Sequence, residues 1–232
     1  MCYSNGVVFV KRYDTTLARE GAMAQPKKHA SNAAKQKAYR QRHKDGKRTR
    51  KLAAFPVVQL GDCTLYQGDA RLILPTLMGI DVVLTDPPYS ATTHAGARGV
   101  GMRQTHLIDF VAMDTRAAIA LVRQCCALAH RWVVMTMDWR HAAAVEAACP
   151  ALFVREGVWV KPNGAPQFTG DRPGTGWEAL VMCHRAGPKT WNGGGHHAVW
   201  TIPRVNGEHP TEKPLALMAD LVRQFSNPGE LV

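Results

Sequence analysis

No apolar run in this chain approaches the roughly 20 residues that a membrane-spanning helix requires. Uninterrupted ones such as Val82 to Leu84 and Trp132 to Met135 are short. Gly6 to Val10 is likewise too brief for the apolar centre of a secretory signal, and no small-residue cleavage site follows it. No membrane span is expected, and the chain reads as cytoplasmic. The six cysteines, Cys2, Cys63, Cys125, Cys126, Cys149 and Cys183, never recur at the two-residue spacing of a zinc knuckle or a thioredoxin motif. They read as reduced thiols, mostly in the core. Cys183-His184, His196-His197 and His209 match no ligand spacing, so no metal is expected. Internal repeats are absent. At 232 residues, 46% of them hydrophobic, the chain is too long for a disulfide-stapled miniature and too apolar to be wholly disordered.

Acid is nearly missing from one stretch. Residues 27–51 hold eleven Lys and Arg against a single Asp45, a local net of +10 in a chain whose total is +11. The remainder is close to neutral. Hydrophobic periodicity is also missing before residue 27, and Met23 offers a second plausible start, so the first 22 residues are expected to have no folded role. Ser31 to Gly46 could form a helix, but only Ala33, Ala34, Ala38 and Tyr39 give it apolar surface. Residues 1–54 therefore read as a basic, disordered arm and 55–232 as the folded body. A polyanion such as nucleic acid suits that arm, with Lys27, Lys28, Lys35, Lys37, Arg40, Arg42, Lys44, Lys47, Arg48, Arg50 and Lys51 as candidate phosphate contacts. A solubilising tail is the plainer alternative.

The body alternates strand and helix patterns. Leu65-Tyr66 before Gly68-Asp69 reads as a short strand and turn, and Arg71 to Leu77 as a short helix. Val82 to Leu84 reads as a strand buried on both faces, because no polar residue alternates with its apolar ones. Thr115 to His130 reads as a helix, Trp132 to Met137 as a second buried strand, and Arg140 to Cys149 as an alanine-rich helix stopped by Pro150. This order predicts an α/β fold with a parallel, doubly wound sheet. Phe153 to Lys161 and Trp177 to His184 read as a terminal antiparallel pair, and residues 185–208 as irregular. Leu215, Met218, Leu221, Val222 and Phe225 fall on one helical face, with Pro214 in the first turn.

The first strand ends in Asp86-Pro87-Pro88-Tyr89. Two consecutive prolines cannot continue a central strand, so the chain leaves the sheet there and displays Asp86 and Tyr89 at the strand's carboxyl end. That edge is where open α/β sheets bind ligands. An acid, an outward carbonyl and an aromatic face suit a planar ligand bearing an amine. The carboxylate and the Pro87 carbonyl accept the two amine hydrogens, and Tyr89 stacks on the ring. An ordinary turn is the plainer reading. Gly170 to Gly176 lacks the Gly-Lys-Ser/Thr ending of a phosphate loop and reads as a mobile loop.

Four segments occur in a telling order: Leu65 to Ala70, Asp81 to Tyr89, Val158 to Asn163, and His209-Pro210-Thr211-Glu212-Lys213-Pro214. Together they resemble the permuted group of amino-directed DNA methyltransferases, across about residues 65–232. The resemblance implies a Rossmann-like sheet in permuted order. It also implies S-adenosylmethionine as cofactor and double-stranded DNA as partner, with methyl transfer to the exocyclic amine of adenine or cytosine. By the same resemblance Asp86, Pro87, Pro88 and Tyr89 grip a flipped base, and Asp69, Asp86, His209, Thr211 and Lys213 lie near the cofactor. Adenine is preferred because cytosine-directed relatives more often carry serine in place of Asp86.

One departure stands out. In the family, a segment like Pro228 to Val232 continues into a strand and a glycine-rich cofactor turn, and neither is present here. The expectation is therefore a fold and a cofactor pocket incomplete at the C-terminus, to be completed by a homodimer partner or a complementing chain. The alternatives are a non-catalytic DNA-binding remnant, or an amine-directed enzyme acting on cytosine or RNA.

Overall fold

The computed structural model describes residues 6–11, 55–93, 112–164, 166–167, 170–205 and 211–232. The first three strands are β1 (Gly6–Lys11), β2 (Val57–Leu60) and β3 (Cys63–Gly68), joined in a small antiparallel sheet of order β1-β3-β2. A short helix α1 (Ala70–Ile73) follows and tightens into a 3₁₀ turn at Leu74–Thr76. Then come β4 (Val83–Thr85), α2 (Thr115–Leu128), β5 (Val133–Met137), α3 (Trp139–Ala148), β6 (Phe153–Val160), β7 (Trp177–Cys183), β8 (Val199–Thr201) and α4 (Leu215–Phe225).

The main sheet has five strands in the order β4-β5-β7-β6-β8. Its pairing is mixed: β4 with β5 and β6 with β8 are parallel, while β7 runs antiparallel to both β5 and β6. Side chains alternate across a strand, so each strand feeds both faces. On one face Val83, Val133, Met135 and Val181 pack with Leu121, Val122 and Cys125 of α2 and Val145 of α3. On the other, Val82, Val134, Leu180 and Trp159 pack under Leu217, Leu221 and Phe225 of α4. Each such fully buried Leu or Phe contributes about 1.5–3 kcal/mol of transfer free energy. β5 is buried along its whole length because both layers cover it.

Local chemistry sets the helix ends. The Asp114 carboxylate accepts the Ala117 N–H at 2.7 Å to start α2, and Asp138 accepts those of Arg140 and His141 at 3.1 Å to start α3. Pro214 precedes α4, and the Ser226 hydroxyl donates to the Val222 carbonyl at its end. Gly157 in β6 is required by close approach: a β-carbon there would lie 2.6 Å from Met182 Cε and 2.9 Å from the Trp200 ring.

Residues 231 and 232 tie the two sheets together. The Leu231 carbonyl accepts the N–H groups of Asp81 and Val82 at 2.9 and 3.2 Å, and Lys11 and Val232 exchange two hydrogen bonds of 2.8 Å.

Several expectations change. The first 22 residues were expected to have no folded role, yet Gly6–Lys11 pairs with β3 and with Val232. Parallel pairing holds for β4 with β5 and for β6 with β8, and β7, antiparallel to both its neighbours, breaks the expected parallel, doubly wound sheet. The antiparallel pair is not terminal, because β7 sits between β5 and β6 and β8 adds outside β6 from a segment read as irregular. Residues 27–51, the basic arm, lie outside the described residues. The five described cysteines are free thiols, and four of them are buried.

Candidate active site

The alternation that builds the core also builds a polar row. Residues 82, 84 and 86 share one face, as do 134 and 136, 159 and 161, and 178, 180 and 182. The register places Thr85 beside Met135, Met137 beside Ala179, and Trp159 beside Glu178. β4, β5 and β6 therefore end, and β7 begins, at one edge of the sheet. There the apolar rows under α4 give way to Asp86, Thr136, Glu178 and Lys161. Lys213, two residues before α4, reaches the same place.

Lys213 Nζ bridges the two acids, at 2.8 Å from Asp86 Oδ2 and 3.3 Å from Glu178 Oε2. Glu178 also pairs with Lys161 through Oε1 and accepts the Tyr89 hydroxyl through Oε2 at 2.6 Å. The Thr136 hydroxyl donates to Asp86 Oδ1. Both ammonium groups lie near aromatic faces, Lys161 at 4.7 Å from the Trp159 ring centroid and Lys213 at 5.4 Å from that of Tyr89. The side chains of Lys213, Glu178 and Lys161 are 10%, 16% and 18% exposed, whereas that of Asp86 is 34% exposed. Asp86 is the member of the row that remains open.

The charges answer one another. Burial pulls the Lys213 ammonium down, but the Asp86 and Glu178 carboxylates outweigh it and hold its pKa above the ordinary lysine value. Burial pushes the Glu178 carboxyl up, and Lys213, Lys161 and the Tyr89 hydroxyl together bring it below the usual carboxylate range. Burial first, then the Asp86 and Glu178 charges, push the Tyr89 phenol well above its ordinary value. Tyr89 therefore stays a neutral donor, with its ring fixed by the bond to Glu178.

The turn carrying these groups is clamped from behind. Asp138, while capping α3, accepts the Ser90 N–H at 2.8 Å and the Thr93 hydroxyl at 3.2 Å, and the Tyr89 carbonyl accepts the Met113 N–H at 3.0 Å. Burial raises the Asp138 carboxyl, but its hydrogen bonds from Ser90 and His141 bring it below the ordinary value. Pro87 and Pro88 are buried beneath the turn.

The structure thus brings together Asp86, Pro87, Pro88, Tyr89 and Lys213. Asp69 has the contacts of a helix start instead: its carboxylate accepts the Arg71 N–H at 3.0 Å and pairs with the Arg71 guanidinium at 2.5 Å. Thr211 is exposed in the turn before Lys213, and His209 lies outside the described residues. Glu178, Thr136 and Asp138 were missed as site residues. A signal existed, since each of β5 and β7 carries one polar residue near an end of an otherwise apolar run, and in β6 Lys161 directly follows Val158-Trp159-Val160.

Beside Asp86 a small hollow is lined by Leu84, Thr85, Val134, Thr136 and Met218. The buried Thr85 hydroxyl, on the opposite face of β4, has no hydrogen-bond partner among the described residues. Asp86 and Thr136 are the polar groups on the hollow's apolar wall, and a carboxylate there suits a ligand with a cationic centre on a partly apolar body, as S-adenosylmethionine has. Among the described residues no cluster of His, Cys, Asp and Glu could hold a metal ion, and no helix is long and apolar enough to cross a membrane.

No family model matches the chain, and no curated protein matches it. Solved structures that resemble it include the following three. The M1.HpyAVI–SAM complex is 17% identical, covering 71% of this chain and 78% of that one, with a TM-score of 0.49. M1.HpyAVI alone is 18% identical, covering 71% and 76%, with a TM-score of 0.46. A structure described as a DNA modification methylase from Thermus thermophilus is 21% identical, covering 68% and 73%, with a TM-score of 0.42. These are likenesses of fold at low identity.

Proposed function

We propose that the chain is a methyltransferase that uses S-adenosylmethionine to methylate the exocyclic amine of adenine in DNA. The observation that carries this reading is the half-open Asp86 at the end of β4, beside the Pro87 carbonyl and the fixed ring of Tyr89. An aromatic amine is a poor nucleophile because its lone pair is delocalised into the ring. Each Asp86 oxygen takes one described donor, Thr136 on Oδ1 and Lys213 on Oδ2, which leaves lone pairs free on a group that can accept about four hydrogen bonds. Asp86 and the Pro87 carbonyl accept the two amine hydrogens and localise the lone pair. That interaction strengthens as positive charge develops on nitrogen, so it favours the transition state over the ground state. Tyr89 stacks on the base, and no covalent enzyme intermediate is needed.

S-adenosylmethionine supplies an electrophilic methyl group when bound, and Asp86, Lys213 and Thr211, with Asp69 and His209, are the residues proposed to hold it. Residues 27–51 supply phosphate contacts that do not read sequence, so binding through them weakens with salt. The test is incubation of the full chain with methyl-labelled S-adenosylmethionine and mixed-sequence duplex DNA, followed by digestion to nucleosides. Label on the adenine amine is the expected result. Label on the cytosine amine overturns the choice of base, and DNA retained without label overturns catalysis in favour of a binding remnant.

A further inference from the structure

We propose that Glu178 is a positioning residue of this site, fixing the Tyr89 ring through its hydroxyl and sharing the Lys213 ammonium so that Asp86 is left an open acceptor. The proposal rests on the reading of Asp86 to Tyr89 as the amine-accepting site and assigns a role that the motif itself does not contain. Glu178 is the sole acid of β7, in a strand whose next five residues are apolar and buried. A staple between β6 and β7 would need only its pair with Lys161. Its second oxygen instead faces the turn after β4, where it takes the Tyr89 hydroxyl at 2.6 Å and Lys213 at 3.3 Å.

The charge count shows what Glu178 does for Asp86. Asp86 and Glu178 face Lys161 and Lys213, so the four ionised groups sum to zero. Without the Glu178 charge, Lys213 has Asp86 as its one carboxylate, and the tightened pair takes up the lone pairs that the incoming amine needs. The Tyr89 hydroxyl, left with the Thr136 hydroxyl as its neighbour, loses the carboxylate that sets its ring plane. Glu178 thus acts through two other residues and touches neither base nor methyl donor.

The direct test is an absorbance titration of the tyrosines in the full chain, without DNA or methyl donor, for wild type, Glu178→Gln, Glu178→Asp and Tyr89→Phe. In wild type one phenol should ionise well above the ordinary tyrosine value, and Tyr89→Phe should remove it. Glu178→Gln keeps an acceptor near the hydroxyl but removes the charge, and should bring that ionisation down by about one pH unit or more. Glu178→Asp keeps the charge and should leave it high. A wild-type-like curve for Glu178→Gln, or equal shifts in the Gln and Asp variants, overturns the proposal, since loosened packing alone would move both alike. In methyl transfer, Glu178→Gln should lower kcat by about tenfold or more with KM for DNA little changed, and Glu178→Asp should recover part of the loss. If wild type transfers no methyl while the titrations behave as stated, the functional reading fails and what stands is the hold of Glu178 on the Tyr89 hydroxyl.

Discussion

Asp69 and Asp86 both follow the last residue of a strand, and the two turns have opposite constructions. The partners described for Asp69 come from two residues away: the Arg71 N–H, which it caps, and the Arg71 guanidinium. Asp86 takes its partners from β5 and from the turn before α4, through Thr136 and Lys213, and Lys213 leads on to Glu178 of β7 and from there to Lys161 of β6. A local carboxylate can be read as helix capping and needs no tertiary structure. A carboxylate satisfied by groups more than 40 residues away exists as a site only when the sheet has formed in its particular strand order. The burial differs in step, since Arg71 is 42% exposed and Lys213 is 10% exposed.

That contrast predicts unequal costs. Lys213→Met removes the one ammonium shared by two carboxylates and should lower stability by about 3 kcal/mol in urea unfolding, because Lys161 alone then faces both of them. Arg71→Ala, removing an exposed pair, should cost about 1 kcal/mol or less. Equal losses would erase the distinction.

Acid should act through the tertiary site next. Glu178 and Asp138 are both held below the ordinary carboxylate range. A depressed group contributes its full stability above its unfolded pKa, about 3.9 for Asp and 4.3 for Glu, and loses it as pH falls through the lower folded value. Thermal melting temperature should therefore drop below about pH 4, and more shallowly in Glu178→Gln than in wild type. An identical acid limb in the two proteins would place the lost stability elsewhere. The local turn gives another small effect: Asp69→Ala should cost about 1 kcal/mol as a lost helix cap. A loss several times larger in the same urea assay would mean that Asp69 has tertiary duties as well.

The sequence makes the acceptor turn legible because Pro87-Pro88 must end the strand and leave Asp86 and Tyr89 at its carboxyl end. Lys213 became legible only through the resemblance, since a lysine before a proline-led helix looks like any solvated helix start. Glu178 was visible as a lone acid in an apolar strand, but its meaning depends on β7 lying beside β5. Periodicity fixes which face a residue takes and leaves open which strand is its neighbour. The same limit explains why the antiparallel insertion of β7 was not foreseen. β1 was missed because its pairing partners are β3, more than 50 residues on, and Val232. Asp138 was readable as a cap of α3, whereas its second task, holding the Ser90 N–H, arises from two strand ends meeting at one edge.

The most direct measurement of the central claim is transfer of labelled methyl from S-adenosylmethionine to duplex DNA by wild type and by Asp86→Asn, with both proteins shown to be folded by circular dichroism. The account predicts label on the adenine amine with wild type and a loss of about a hundredfold or more in Asp86→Asn, because the acceptor aimed at the amine has lost its charge. Undiminished transfer by Asp86→Asn would contradict it, and would move the chemistry away from the turn at the end of β4.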